Sequence, residues 1–170
     1  MTQENINDWT YCTLKVAPQD NESDALHELD LFESDVEDPD DGSPLSFYFH
    51  VQIPDILIDT IEDDSDDARA KRIAKTGYSS SFEFCKNRWG TLYDAVDVTL
   101  DYVDRGTPNE VLRYEFRTLE GHPLPWLKEI SSQFPLLVFE ISCQNELDLF
   151  DSFDAIYLNG QQVTYQTHKK

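Results

Sequence analysis

Hydrophobic and polar positions divide this chain into short, well-marked elements. Residues 8–16 (DWTYCTLKV) are rich in aromatic and β-branched side chains and read as a first strand. Leu29, Phe32 and Val36 then recur at helical spacing, with Ala25 and Leu26 one turn earlier. That spacing predicts an amphipathic helix from Asp24 to Val36 with one apolar stripe and an acidic outer face. Ser23 or Asn21 is placed to cap it, and Pro39 and Gly42 end it. Leu45 to Ile53 (LSFYFHVQI) reads as a strand stopped by Pro54, and Ile56 to Ile61 as a short helical or turn segment. The stretch IEDDSDDARAKRIAK reads as an acidic helix start with a basic body, running to about Lys75 and stopped by Gly77.

The remainder is richer in strands. Ser80 to Lys86 (SFEFCK within it) reads as a strand, followed by a turn at Trp89-Gly90. Asp94 to Val103 alternates apolar and polar residues, as a half-buried strand does. Gly106-Thr107-Pro108-Asn109 is a turn, and Val111 to Arg117 is the hairpin partner. Pro125 to Phe134 reads as a helix with proline at its start. Leu136 to Cys143 reads as a buried strand, and Phe153 to Leu158 and Gln162 to Gln166 as edge strands about an Asn159-Gly160 hairpin turn. Helices interleaved with hairpin-linked strands predict an α+β sandwich: a mainly antiparallel sheet with helices packed on one face. At 170 residues a single domain, 1–170, is expected.

Charge changes this picture. The chain carries 34 Asp plus Glu and 13 Lys plus Arg, a net −21. From Met1 to Asp67 there are 20 acidic residues and one basic residue, Lys15, so that this part holds −19 of the total. Residues 68–170 form a near-neutral scaffold of 14 acidic and 12 basic residues. Such a chain lacks the cations that direct nucleic-acid binding needs, and it is repelled by anionic membrane surfaces. No run of eighteen apolar residues predicts a membrane span, and the polar start MTQENINDWT does not read as a targeting peptide, so a cytoplasmic protein is expected.

Candidate chemistry is sparse. Cys12, Cys85 and Cys143 are odd in number, far apart and set in apolar-leaning segments, as buried thiols are. The histidines His27, His50, His122 and His168 show no spacing to a nucleophile, and no phosphate-cradling glycine motif occurs. A calcium loop counted back from Gly42 is broken by Pro39. Trp89-Gly90-Thr91 has two readings, a recognition turn and the favoured one, in which Trp89 caps the core and Gly90 supplies an unusual backbone angle. No catalysis, no metal and no cofactor is expected.

Several segments together resemble a known family. They are a Trp/Cys strand (Trp9 to Leu14), a strand ending in a hydrophobic-Pro step (Phe47 to Pro54) and a Trp-Gly-Thr turn (Trp89-Gly90-Thr91-Leu92-Tyr93-Asp94). After these come Tyr114, Phe116 and Thr118 ahead of Pro123 and Pro125, then Phe134-Pro135-Leu136 leading to Glu140 and Ile141, and an acidic end at Glu146. In this order they resemble the YubB-like (Api-type) ferredoxin-like proteins carried by plasmids and phages. Leu92 and Tyr93 replace that family's Lys and second Trp, and Trp126 follows Pro125 where the family has Trp before its Pro-Pro. The resemblance implies a ferredoxin-like sheet and a mobile-element origin, and little about activity.

The function expected follows from the acidic region. A net charge of about −8 already keeps a small domain soluble. Concentrating −19 in residues 1–67 makes a field directed at something basic. The expected partner-binding residues are Asp20, Glu22, Asp24, Glu28, Asp35, Glu37, Asp38, Asp40 and Asp41, with Glu62, Asp63, Asp64, Asp66 and Asp67. They suit a non-enzymatic inhibitor that occupies the basic nucleic-acid-binding surface of another protein. With a mobile-element origin that target is a host defence nuclease, and the inhibitor is an anti-CRISPR or anti-restriction nucleic-acid mimic, monomeric or dimeric. The alternatives are an immunity protein against a cognate basic toxin nuclease, and an accessory protein of a mobile element with no inhibitory role.

Overall fold

A computed structural model describes residues 8–58, 64–148 and 152–168. Its elements are β1 (Trp9–Pro18), α1 (Ser23–Val36), the single turns α2 (Phe47–His50) and α3 (Asp55–Ile58), α4 (Asp66–Thr76) and α5 (Ser81–Arg88). The hairpin β2 (Val96–Val103) and β3 (Val111–Leu119) follows, then α6 (Leu124–Gln133), β4 (Leu137–Asn145), and the hairpin β5 (Phe153–Leu158) and β6 (Gln161–Thr167). The strands form one six-stranded antiparallel sheet in the order β2-β3-β1-β4-β5-β6. The fold is therefore α+β.

Strand period sets the core. In β1 the buried positions Cys12, Leu14 and Val16 alternate with Tyr11, Thr13 and Lys15 on the other face. Register carries the pattern sideways. Leu14 lies opposite Tyr114 of β3 and Ile141 of β4, and Ile141 lies opposite Ala155 of β5, all buried. The opposite face is polar and internally balanced: Lys15 meets Glu140 at 3.7 Å, Arg113 pairs with Glu115, and Arg117 with Asp97.

Helix α1 closes over the apolar face through Leu29, Phe32 and Val36, which share one buried cluster with the sheet. Phe32 sits edge-on to Tyr114 at 6.0 Å and to Phe134 and Phe139 at 5.4 Å, a geometry that aromatic quadrupoles favour. Neither Ser23 nor Asn21 caps α1: the N-cap position is Glu22, without a side-chain cap, and Glu22 N donates to Asp20 Oδ1 at 3.0 Å. Helix α6 packs on β4, β5 and β6.

Two expected strands are not strands. Leu45 to Ile53 cannot join β1, because both edges of β1 are already paired with β3 and β4. The segment instead makes the turn α2, which buries Phe47 against Trp126 at 4.8 Å. Ser80 to Lys86 lies within or just before α5. Ser80 Oγ accepts from Glu83 N at 3.2 Å, and Glu83 Oε2 accepts from Ser79 N at 2.7 Å. That is the Ser-x-x-Glu pattern of a helix start. The apolar-polar alternation of Phe82 and Phe84 conceals it. The other elements match their expected positions, including the Gly77 stop at φ +82 and the Asn159-Gly160 turn, both of whose residues have positive φ, but Phe153 to Leu158 is not an edge strand: β5 is paired on both sides, with β4 and β6, and on that side only β6 lies at the edge. The expected Ile56 to Ile61 segment is helical from Asp55 to Ile58, and Ile61 lies outside the described residues.

Gly90 follows α5 at φ +85, with its backbone against the 119–123 loop. A Cβ there would lie 2.2 Å from His122 O and 2.5 Å from Pro125 Cδ. Gly106 has nearly the same φ, +79, with nothing within 4 Å. The pair separates backbone preference from contact. Gly106→Ala is expected to cost about 1 kcal/mol, the left-handed penalty alone. Gly90→Ala is expected to cost about 2 kcal/mol more, because backbone and a proline ring must shift. Urea unfolding of both variants measures the difference, and equal costs would contradict the close packing at Gly90.

Candidate functional site

The α1 region holds the first acidic run. Asp20, Glu22, Asp24, Asp35, Glu37, Asp40 and Asp41 are exposed. Glu28 and Asp38 are half-buried and make local bonds: Leu136 N donates to Glu28 Oε2 at 2.6 Å, and Asp40 N donates to Asp38 Oδ1 at 2.8 Å. Glu28 therefore ties α1 to the start of β4, and Asp38 shapes the turn that leaves α1.

Helical geometry arranges the carboxylates in two rows. With 3.6 residues per turn, Asp24, Glu28 and Asp35 fall on one flank of α1. Asp30, Glu33 and the C-cap residue Glu37 fall about half a turn away. The ridge between the rows carries His27, Leu31 and Ser34, and Leu31 is 47% exposed. The outer face of α1 is thus not uniformly acidic: it is a weakly polar ridge between acidic rows. Asp30 was absent from the expected site although it is exposed, and placing the run on a helical wheel recovers it. Glu33 accepts from the Tyr102 hydroxyl. No Lys or Arg occurs between Lys15 and Arg69. Among the described residues, none of the carboxylates between Asp20 and Asp41 pairs with Lys or Arg.

The second run differs. Glu62 and Asp63 lie outside the described residues. Asp64, Asp66 and Asp67 are exposed, but Asp64 Oδ1 stands 3.5 Å from Arg72 Nη2, and Asp66 and Asp67 occupy the first turn of α4, where the helix dipole favours them. The exposed Arg69, Lys71 and Lys75 follow on the same helix, so this run is compensated locally. Helix α1 packs on β1, β4 and α2 and not appreciably on α4. The structure therefore brings nine of the expected residues together around α1 and leaves those of α4 apart.

Beside the turn after α1 opens a cavity of about 470 Å³. Tyr48, Phe82, Trp89 and Tyr93 line it, with Asp38 and Asp94 as its carboxylates. Phe82 and Tyr93 are 52% and 49% exposed and meet edge to face at 6.1 Å. Trp89 is buried, and its indole Nε1 donates to Val51 O at 2.9 Å, which fixes the ring as a wall. Asp94 accepts from Ser46 Oγ and Phe47 N at 2.6 Å, from Ala95 N at 2.7 Å and from Tyr48 N at 3.2 Å. Burial pushes its carboxyl above the ordinary range, against these four bonds, which pull it down. Cys85 also lines the cavity. Burial, with the Asp94 charge nearby, raises its thiol to about 11, so it is protonated at neutral pH and unfit as a nucleophile.

The other expected chemistry is quiet. All three cysteines are buried thiols outside any disulfide, with Cys12 and Cys143 opposed on β1 and β4 at 3.3 Å between sulfurs. His27 is exposed, and His168 bonds Asp154 at 2.8 Å. Among the described residues no group of three or more His, Cys, Asp or Glu is placed to hold a metal ion, and no helix is long and apolar enough to cross a membrane.

No family model and no curated protein matches the chain. Its fold is similar to that in the crystal structure of a protein api92 from Yersinia pseudotuberculosis, with a TM-score of 0.51 and 12% identity. The match covers 96% of this chain and 99% of that one. At this identity the likeness concerns the fold alone.

Asp94 joins the pocket to α2, and its replacement tests that role. Asp94→Asn keeps the shape but turns an amide N–H₂ toward groups that donate to the carboxylate. It is expected to cost about 1–3 kcal/mol, the penalty for leaving a partly buried donor unmatched. Urea unfolding measures this, and near-ultraviolet circular dichroism follows the Trp89 environment. A variant as stable as the parent would show that α2 is held by packing alone.

Proposed function

We propose that this protein is a non-enzymatic acidic inhibitor that binds the basic nucleic-acid-binding surface of another protein. The observation that supports this is the uncompensated acidic region around α1. A solvated helix surface in a soluble domain ordinarily interleaves both signs, as α4 does here. Around α1 no cation intervenes, and the apolar stripe of Leu29, Phe32 and Val36 holds the charge in fixed array on the sheet. The two rows, on opposite flanks of a rod, resemble in kind the paired charge lines of a duplex, which carries one charge per roughly 1.7 Å of axis. A protein evolved to grip nucleic acid presents the complementary field.

Two finer readings accompany this one. The sequence β1-α1-β2-β3-α6-β4, with strand order β2-β3-β1-β4, supports a ferredoxin-like core that the β5–β6 hairpin extends. The resemblance to YubB-like (Api-type) proteins of phages and plasmids favours a host defence nuclease, in the cytoplasm, as the target.

The test uses the full chain against purified CRISPR and restriction nucleases, with duplex DNA as competitor. Capture is expected at low salt, with displacement by DNA and loss at about 0.5 M salt, where the Debye length is about 4 Å. Reversing Asp24, Asp35, Glu37 and Asp40 to Lys spares the structural Glu28 and Asp38 and is expected to weaken capture by about 100-fold or more. Unchanged capture by that variant would move the site away from α1. Capture of one cognate toxin, indifferent to DNA, would replace mimicry with immunity.

A further inference from the structure

Long-range charge attracts any basic surface, but it does not fix register. The cavity beside α1 has the chemistry to do so. Four aromatic rings line it, two carboxylates stand in it, and no Lys, Arg or His does. Phe82 and Tyr93 leave about half of their surface open to solvent, which makes a mouth on the side of the molecule that carries Asp38. Asp38 joins this mouth to the acidic turn at Asp40 and Asp41.

Ring faces attract cations through their quadrupole, and the attraction grows as water is excluded. Carboxylates beside them add charge without needing to move. A carboxylate-free aromatic cleft would take an apolar side chain, and a wet acidic cleft a metal ion. Here the apolar walls reject a strongly hydrated ion, while Asp38 and Asp94 disfavour a neutral occupant. A guanidinium satisfies both demands, because it is flat, stacks on rings and is weakly hydrated for a cation. The cavity volume of about 470 Å³ exceeds what one such side chain fills, so it admits the chain stem as well.

We infer that this cavity receives an arginine side chain of the basic partner and is the anchor that sets the partner's position on the acidic region. The inference rests on the proposed function, which it makes more specific. Interfaces commonly concentrate their energy in such an arginine or aromatic anchor, surrounded by contacts of little individual weight.

The ligand class is tested without the partner. Acetyl-arginine amide is titrated into the isotope-labelled full chain, beside acetyl-citrulline amide, which is isosteric and uncharged, and beside choline. Arginine is expected to shift the amide signals of residues 46–48 and 81–94 saturably, and to bind about tenfold tighter than citrulline. Phe82→Ala and Tyr93→Ala, at exposed positions outside the core, should each weaken it at least about threefold. Equal binding of citrulline, indifference to both variants, or tighter binding of choline at the same residues would each overturn the inference. Capture then separates it from the function. Undiminished capture of a basic nuclease by the Phe82→Ala, Tyr93→Ala double variant overturns the anchor and leaves the inhibitor standing. Arginine binding by a wild-type chain that captures no nuclease removes the inhibitor and, with it, the partner as the source of the arginine.

Discussion

The occupation of both edges of β1 is the constraint on which the remaining structure depends. Its partners β3 and β4 come from far along the chain, so the described residues between β1 and β2 have no place in the sheet beside it. They must cross above one face on the way to β2. That crossing explains why the acidic region is helical, why Leu45 to Ile53 coils into α2 in spite of its strand-like composition, and why one sheet face is buried while the other carries balanced ion pairs. Local propensity is a weak prior, and here the topology overrides it.

The same crossing makes a strongly charged segment compatible with folding. Eleven carboxylates between Asp20 and Asp41 repel one another, and a free helix of that composition would be marginal. Helix α1 is held by its stripe: Phe32 contacts three rings from β3, β4 and the end of α6. Glu28 adds a bond to Leu136 N, and Glu33 one from Tyr102. Two of the acidic side chains are thus themselves used to secure the surface that the others create. A count of negative charge overstates how many are available to a partner.

Much of the fold was legible in the sequence where one period dominates. The alternation in β2, the buried run of β4 and the stripe of α1 each admit one reading. Legibility failed where two signals compete. In Ser80 to Lys86, alternation of Phe82 and Phe84 outweighed the Ser80-x-x-Glu83 start signal, although the capping pattern was present. The partition of charge into −19 and −2 was visible by counting, but its meaning was not. Only the helix shows that the carboxylates form two rows, and the pairing of Asp64 with Arg72 adds to the basic body of α4 in separating the second run from the first. The aromatic cavity had no sequence signature, because Asp38, Tyr48, Phe82 and Tyr93 meet only through the packing of α2 and α5 beside the end of α1.

Charge and cavity answer different physical demands, and this bears on how an acidic protein can be selective. A field of several carboxylates raises encounter rates with every basic surface, and salt screens it over about 8 Å under physiological conditions. A field alone would make the chain a general sink for cationic proteins. A desolvated pocket acts only at contact and rewards one geometry, so its effect falls mainly on the rate of leaving. On the proposed function, placing the pocket at the end of α1 would let the rows orient a partner before the pocket tests it. An unsuitable basic surface would then arrive quickly and depart quickly, and selectivity would come from the few residues around Phe82 and Tyr93.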